Sequence, residues 1–227
     1  MTFDPQKMLL AYAGVTTAAL AWFLIAAAAP PAKTLGTIDV ERINVREPDG
    51  TLRMTISDTA RAPGIIVKGT EYPHPSRSAA GMLFYNDEGT ENGGLIFGGQ
   101  KTGDKAASYG SLTFDRYHQD QVVQLLGEQD GTERRAGLMV NDQPERQIDY
   151  PAIARIVAMP ATQRAAAYTA ANIGGTPRLF VGRDHDGSSR VALRDGAGRP
   201  RLVLRVAADG VTAIDFLGAD GKVVRTL

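Results

Sequence analysis

The chain begins with one long apolar run and continues as short runs in which apolar and polar residues alternate. Residues 8–29 contain no charged side chain, and Pro30 and Pro31 follow them directly. As a helix rising about 1.5 Å per residue, this run would extend about 33 Å, close to the roughly 30 Å of a bilayer's hydrocarbon core. The pattern predicts a transmembrane helix at 8–29, after a short tail at 1–7 and before a linker at 30–37.

The apolar run has two other interpretations. As a cleaved secretory signal it would have Lys7 as its basic region and the alanines at 26–29 as its cleavage region, although Pro30 requires the cut to lie upstream. As a buried helix of a globular core it would be apolar on all sides, which the change of composition after Pro31 argues against. The anchor and the signal both predict a translocated, extracytoplasmic domain, either periplasmic or at the cell surface.

The rest of the chain has the periodicity of β-strands. Apolar and polar side chains alternate in the runs 43–45 and 52–56, as in strands with one buried face. Pro48-Asp49-Gly50 lies between the two runs. Proline presets its own φ, and Asp-Gly tolerates the positive φ of tight turns, so this segment predicts a β-hairpin.

Similar turn signals recur to the end of the chain, with short apolar runs between them. They are Asp87-Glu88-Gly89, Asp130-Gly131, Asp186-Gly187, Asp195-Gly196, Asp209-Gly210 and Asp220-Gly221. Their spacing predicts a larger β part at 38–148 and an antiparallel β-meander at 176–227. The fold class is therefore predicted as mainly β: an N-terminal transmembrane helix, then a meander, rolled sheet or sandwich-like domain over 38–227.

The interval 149–175 departs from this periodicity. Asp149 can cap a helix that Pro151 starts, and Pro160 would interrupt it. Helix-forming residues resume at 161–172. We expect a short broken helix inserted between the two β parts.

Composition excludes several function classes. Lysine plus arginine equals aspartate plus glutamate at 25 each, so charge favours no nucleic-acid partner. The chain has no cysteine, which excludes disulfides and cysteine-ligated metals. Its histidines, His74, His118 and His185, lack metal-ligand spacing. No cofactor and no metal are expected, and the alanine- and arginine-rich composition suggests a bacterial protein.

Two polar segments could carry chemistry. The loop 86–93 offers Asp87, Glu88 and Glu91, and such oxygen-rich loops can hold calcium. However, the loop lacks the ligand order of an EF-hand, and a solvated hairpin needs the same residues. Asp115, His118 and Asp120 could transfer a proton, although neighbours in a loop usually point in different directions. The ligand or interaction candidates are Asp87, Glu88, Glu91, Asp115, His118 and Asp120.

Arginines near the C-terminus have two interpretations. They could form a basic patch for an anionic partner or pair with nearby aspartates on a solvated face, and the second is favoured. They are Arg183, Arg190, Arg194, Arg199, Arg201 and Arg205.

The sequence therefore predicts a membrane-tethered β domain that serves as a protein-interaction or structural module of a cell envelope. Its partners would be membrane lipid, through the N-terminal helix, and an envelope protein. This hypothesis requires an exposed apolar patch or an unpaired sheet edge. One alternative is a ligand- or glycan-binding domain. A second is a hydrolase or isomerase that uses His118 with Asp115 or Asp120, although the lack of a recognisable catalytic motif favours a binding role.

Overall fold

A computed structural model describes residues 4–26, 35–74, 77, 79–170 and 173–227. The protein is mainly β, with 47% of residues in strands and 18% in helices. The chain divides into two compact units, Met1–Asp39 and Val40–Leu227. A large antiparallel sheet dominates the second unit, as the sequence predicts.

The first unit contains helix α1, Pro5–Ala26, which starts before the predicted residue 8. The helix is 22 residues long, and none of its residues is buried. Its length and composition suffice to cross a membrane, and an N-terminal signal sequence would meet the same criterion. The hydroxyl of Thr16 donates to the carbonyl of Tyr12 at 2.9 Å, so this polar group is satisfied within the helix. The predicted linker residues 30–34 and most of the cleavage region, 27–29, lie outside the described residues.

The second unit contains fourteen described strands and two short helices. The strands are β1 Arg42–Arg46, β2 Leu52–Ser57, β3 Ile65–Val67, β4 Thr70–Tyr72, β5 Ala80–Tyr85, β6 Glu91–Thr102, β7 Lys105–Asp115, β8 Gln121–Asp130, β9 Glu133–Asp142, β10 Thr176–Arg183, β11 Ser189–Arg194, β12 Pro200–Val206, β13 Thr212–Leu217 and β14 Val223–Thr226. The helices are α2 Tyr150–Ala158 and α3 Ala161–Ala170.

Twelve strands form one sheet in the order β1-β2-β5-β6-β7-β8-β9-β10-β11-β12-β13-β14. Each strand pairs antiparallel with its sequence neighbours, except that the separate hairpin β3–β4 intervenes between β2 and β5. The predicted meander therefore extends over the whole sheet, and β9 pairs directly with β10 across the helical insert. Within the described residues the second sheet has only two strands, so the fold is not a two-sheet sandwich.

One end of the sheet is irregular, and we call it the bulged end. The hairpins β1–β2, β5–β6, β7–β8, β11–β12 and β13–β14 turn here, and each shows a register shift beside its turn. A β-bulge adds one residue to a strand and thereby redirects the side chains that follow. Three extra residues, Arg53, Asn92 and Val122, turn Leu52, Glu91 and Gln121 to the other face of the sheet.

The strand register places alternate apolar side chains of many strands on one surface, which we call the apolar face. Cross-strand partners in an antiparallel sheet share a face. Every strand of the large sheet except β14 contributes two or three apolar side chains. They are Ile43, Val45, Met54, Ile56, Met82, Phe84, Leu95, Phe97, Leu112, Phe114, Val123, Leu125, Leu138, Val140, Leu179, Val181, Val191, Leu193, Leu202, Leu204, Val206, Ile214 and Phe216.

The opposite face carries the hydrophobic core of the unit. Leu52, Leu83 and Tyr85 of the sheet pack with Ile66 of the β3–β4 hairpin, and all four are buried. Leu52 reaches this core only because of the bulge at Arg53. The hairpin β3–β4 thus covers part of the opposite face.

The helical insert between β9 and β10 begins with the predicted cap. Asp149 accepts a hydrogen bond from the backbone N–H of Ala152 at 3.1 Å, which satisfies one of the free donors of the first turn. The insert is broken at Pro160, between α2 and α3. Ile156 on α2 is 4% exposed, so this helix has a buried side.

Candidate functional sites

A pocket opens on the opposite face at the bulged end of the sheet. Its volume is about 440 Å³, and it lies between the strand ends and the helical insert. Its walls combine carboxylates with apolar and tyrosine side chains. The lining residues are Ile65, His74, Arg77, Glu91, Asp115, Gln119, Asp120, Gln121, Ile148, Tyr150, Ile153, Tyr168, Ile173 and Gly174. We call it the acidic pocket.

Glu91 is held in this pocket by an ion pair. Nη2 of Arg77 donates to Oε1 of Glu91 at 2.6 Å, and both side chains are mostly buried. Nη1 of Arg77 also donates to the carbonyl of Gly64 at 2.6 Å, which anchors the guanidinium to the segment before β3. A buried, hydrogen-bonded arginine of this kind fixes the position of its carboxylate partner. Oε2 of Glu91 is buried and has no hydrogen-bond partner among the described residues.

Asp115 and Asp120 stand at the end of β7 and the start of β8. Burial raises the pKa of Asp115 to about 8, and the nearby carboxylates of Glu91 and Asp120 raise it as well. Burial also raises the pKa of Asp120. Asp115 is therefore mainly protonated at neutral pH and offers a hydrogen-bond donor next to carboxylate acceptors. Its Oδ1 is buried without a hydrogen-bond partner in the described part of the chain.

Burial also shifts the pKa values of two other titratable residues that line the pocket. Burial lowers the pKa of His74, and the positive charge of Arg77 lowers it further. Burial raises the pKa of Tyr150, and the carboxylates of Glu91, Asp115 and Asp120 add to the shift. Across the described residues, no group of three or more His, Asp or Glu side chains is arranged to hold a metal ion. The pocket can instead receive a polar or cationic organic group between its carboxylates and apolar walls.

A second group of candidate residues joins two neighbouring hairpin turns. Nε2 of His118 lies 2.7 Å from Oε2 of Glu88, and Lys68 Nζ lies 3.5 Å from the same oxygen. The hydroxyl of Tyr117 donates to Oδ1 of Asp87 at 2.9 Å. These contacts bind the β7–β8 turn to the β5–β6 turn.

His118 is 3% exposed and has a φ of 53°, an unusual backbone conformation for a residue other than glycine. Its carbonyl accepts a hydrogen bond from Ile148 N at 3.1 Å. The side chain and the backbone of His118 therefore connect two turns and the segment that leads into α2. This structural role is sufficient to explain why a histidine is buried in a strained turn.

The structure divides the six candidate residues into two sets. Glu91, Asp115 and Asp120 line the acidic pocket, whereas Asp87, Glu88 and His118 link the turns. The described hydrogen bonds and ion pairs join His118 to Glu88, and to neither Asp115 nor Asp120. The sequence analysis did not identify Arg77 or Tyr150 as site residues. The only signal that could have pointed to Tyr150 was its position in 149–175, the segment that departs from β periodicity.

Four of the six C-terminal arginines form ion pairs with aspartates, as the favoured interpretation predicts, whereas Arg183 and Arg194 donate to backbone carbonyls. Arg190 pairs with Asp184, Arg205 pairs with Asp215 at 2.9 Å, and Arg199 and Arg201 share Asp195. These four arginines are therefore paired locally with carboxylates.

The apolar face carries most of the exposed large apolar side chains of the described second unit. None of its side chains is buried, and nine of them are 39% to 60% exposed. These nine are Val45, Phe84, Phe97, Phe114, Leu125, Val181, Leu193, Leu204 and Val206. At about 80 Å² for each of them, they present roughly 700 Å² of apolar surface, more than the largest patch on a typical monomer.

Two open grooves lie along this face and meet at Val181. One, of about 1000 Å³, spans β6 to β10, and the other, of about 730 Å³, spans β10 to β13. Their lining consists of sheet residues and Leu227, with no residue from β3, β4, α2 or α3. No element of the described second unit therefore covers these grooves.

Comparison of the chain with protein-family models, curated proteins and solved structures finds no match.

Proposed function

We propose that this protein is a membrane-tethered interaction module of a cell envelope, and that its apolar face binds a protein partner. Helix α1 serves as the tether, and the β unit lies on the extracytoplasmic side. The observation that carries the proposal is the uncovered apolar face, which extends over eleven strands of the sheet. Exposed apolar surface of this extent is unfavourable in water, and in soluble domains it marks a binding site.

The size of the face supports a macromolecular partner. One side of a standard protein–protein interface covers about 800 Å², similar to the roughly 700 Å² estimated for the nine most exposed side chains. The apolar face crosses every strand of the large sheet from β1 to β13, so a partner must contact the sheet along its length. Phe97 and Phe114, at 60% and 53% exposure, are the largest anchors available to that partner.

Site-specific photo-crosslinking in cells tests this function. Benzophenone-alanine in place of Phe97 is expected to give a discrete protein adduct, because this side chain projects from the apolar face. Tyr109 is a matched aromatic control, since it lies on the opposite face over Gly98 and is 39% exposed. The adduct from position 97 should decrease several-fold when Leu125→Lys is added. Equal labelling from positions 97 and 109, or no protein adduct at 97, would contradict the proposal.

A second candidate function is the binding of a small cationic ligand in the acidic pocket. It is favoured by two buried carboxyl oxygens, on Glu91 and Asp115, that lack hydrogen-bond partners among the described residues. Benzamidine is a suitable probe because it combines an amidinium with a flat apolar ring. We expect it to raise the melting temperature of the wild-type protein but not of Asp120→Asn. No shift at millimolar benzamidine, or an equal shift in both proteins, would count against a cationic ligand.

The hydrolase or isomerase alternative gains no support from this geometry. It needs His118 within hydrogen-bond reach of Asp115 or Asp120, whereas the described contacts of the imidazole are with Glu88 and Tyr117. That alternative stays a prediction from sequence.

A further inference from the structure

We propose that the partner on the apolar face is a second copy of this chain, so that two sheets form a two-layer sandwich across a symmetric interface. This inference rests on the proposed function, since it names the occupant of the same face. Protein domains normally bury the apolar side of a sheet against a second layer. In the described second unit, β3–β4 covers the opposite face, and the two grooves of the apolar face have no cover.

The dimensions of the apolar face favour a second sheet as the missing layer. Strands about 4.8 Å apart give a twelve-stranded sheet a width of about 50 Å, and two apolar side chains per strand give a strip about 10 Å across. A strip of the same length and width is available on every other copy of the chain. Two such faces would bury roughly 1,400 Å² of apolar surface, within the range of about 1,200–2,000 Å² for stable interfaces.

The face is suited to contact with itself. Phe97 and Phe114 are exposed on it, and the Phe97 ring lies over Gly110, whereas Gly127, the cross-strand partner of Gly110 on the same face, has no side chain of its own. A methyl group added at Gly127 would meet no atom within 4 Å, so there is room above this strand. Projecting rings and a glycine depression on one surface can interdigitate across a two-fold axis.

Electrostatics does not oppose self-association. The register puts uncharged residues at the centre of the apolar face and the charged residues Lys101, Arg134, Arg183 and Arg225 at its margins, so the centres of two faces can meet without burying a charge. The formal net charge of the chain is zero, so two copies have no overall repulsion. The ion pairs Arg190–Asp184 and Arg205–Asp215 belong to the opposite face.

The contact between two copies is best tested at the centre of the apolar face. Leu125 on β8 pairs with Leu138 on β9, and these strands are sixth and seventh in the sheet. A two-fold axis through the middle of the sheet would bring Leu125 close to its symmetry mate. The chain contains no cysteine, so one introduced cysteine reports a single position.

The experiment uses the full-length chain in its native membrane. Leu125→Cys is treated with a short bismaleimide before solubilisation, and Thr132→Cys, in the exposed β8–β9 turn, is the control. We expect a covalent homodimer from Leu125→Cys and at least tenfold less from Thr132→Cys. Equal or absent dimer from both positions would overturn the second-copy proposal.

A second measurement uses full-length protein in mild detergent. We expect sedimentation to give twice the 24.2 kDa chain mass. Leu125→Lys should weaken dimerisation at least tenfold because it buries two ammonium groups, whereas Thr132→Lys should leave it unchanged. Circular dichroism checks that each variant is folded. A wild-type protein that remains monomeric, or a folded Leu125→Lys variant that dimerises normally, would refute the proposal.

The two proposals fail in different ways. If position 97 crosslinks to a different protein while Leu125→Cys gives no homodimer, the interaction function stands and the second copy is excluded. If position 97 gives only lipid adducts, or none, and no homodimer forms, both proposals fail.

Discussion

The carboxylates of the acidic pocket show how position changes the chemistry of a residue. Glu91, Asp115 and Asp120 are ordinary polar residues of hairpin ends in the sequence. The bulge at Asn92 turns Glu91 to the face of Asp115, and burial then raises the pKa values of all three carboxyl groups. His118 shows the opposite case. The sequence makes it a candidate for proton transfer, whereas in the structure its imidazole contacts Glu88 and links two turns.

Asp115 should make the stability of the protein depend on pH. Its pKa is about 8 in the folded protein against an ordinary aspartate value of 3.8, so between these pH values the folded state holds a proton that the unfolded state has lost. The free energy of unfolding should therefore fall as pH rises from about 4 to about 8, at up to about 1.4 kcal/mol per pH unit from this group.

Asp115→Asn keeps the shape of the neutral acid and removes its titration. We expect the melting temperature of this variant to fall less than that of the wild type between pH 5 and pH 8, as measured by circular dichroism. Asp104→Asn, in the exposed β6–β7 turn, is the control and should follow the wild type. Parallel pH profiles for Asp115→Asn and the wild type would show that Asp115 has an ordinary pKa.

At the level of the elements, close strand packing depends on particular glycines. Gly182 on β10 pairs with Gly137 on β9. A Cβ at Gly182 would lie 2.1 Å from the carbonyl oxygen of Ala136, far inside van der Waals contact with the backbone. Gly127, on β8, has no neighbour within 4 Å of the equivalent position. Glycine is therefore required at one site and only tolerated at the other.

Gly182→Ala should destabilise the sheet by at least about 2 kcal/mol, because the backbone of two central strands must move. Gly127→Ala should change the stability by less than about 0.5 kcal/mol or increase it slightly, since alanine is less flexible than glycine when unfolded. Denaturant titration of the two variants measures the difference. Similar losses for both would mean that strand glycines act through flexibility alone.

For the whole molecule, retention or removal of helix α1 decides whether the β unit is tethered. Its charge-free interior suits a lipid-embedded helix, and its length also suits a signal sequence. Both interpretations export the β unit. Only the tether keeps the apolar face beside a membrane, where confinement to a plane raises the encounter rate between copies.

The tether interpretation predicts that the mature protein retains residues 1–26 and stays in the membrane after carbonate extraction. Val15→Arg should reduce membrane insertion, because an arginine at the helix centre costs about 2.5–3.5 kcal/mol or more. Lys7→Arg is the control and should insert normally. Mass spectrometry of the mature chain distinguishes a retained tether from a cleaved signal. A soluble protein that begins at or after residue 27 would establish a cleaved signal.

Much of the architecture is encoded locally and could be predicted. The alternation in 52–56 and the turn at Pro48-Asp49-Gly50 predict the β1–β2 hairpin, which the structure confirms. Asp149 and Pro160 predict a capped, interrupted helix, which α2 and α3 confirm. These features depend on backbone preferences within a few residues, so sequence alone indicated most strands and turns and the apolar N-terminal helix, although it missed the β3–β4 hairpin.

Only the tertiary structure decided which residues meet. Strand register placed the alternate apolar residues of eleven strands on one face, and the lack of a second large sheet among the described residues left that face open. Bulges at Arg53, Asn92 and Val122 reversed the face of the residues beyond them, which strict alternation does not foresee. Local periodicity reports which side chains are apolar, whereas register, bulges and burial depend on contacts between distant segments, and these contacts created both the apolar face and the acidic pocket.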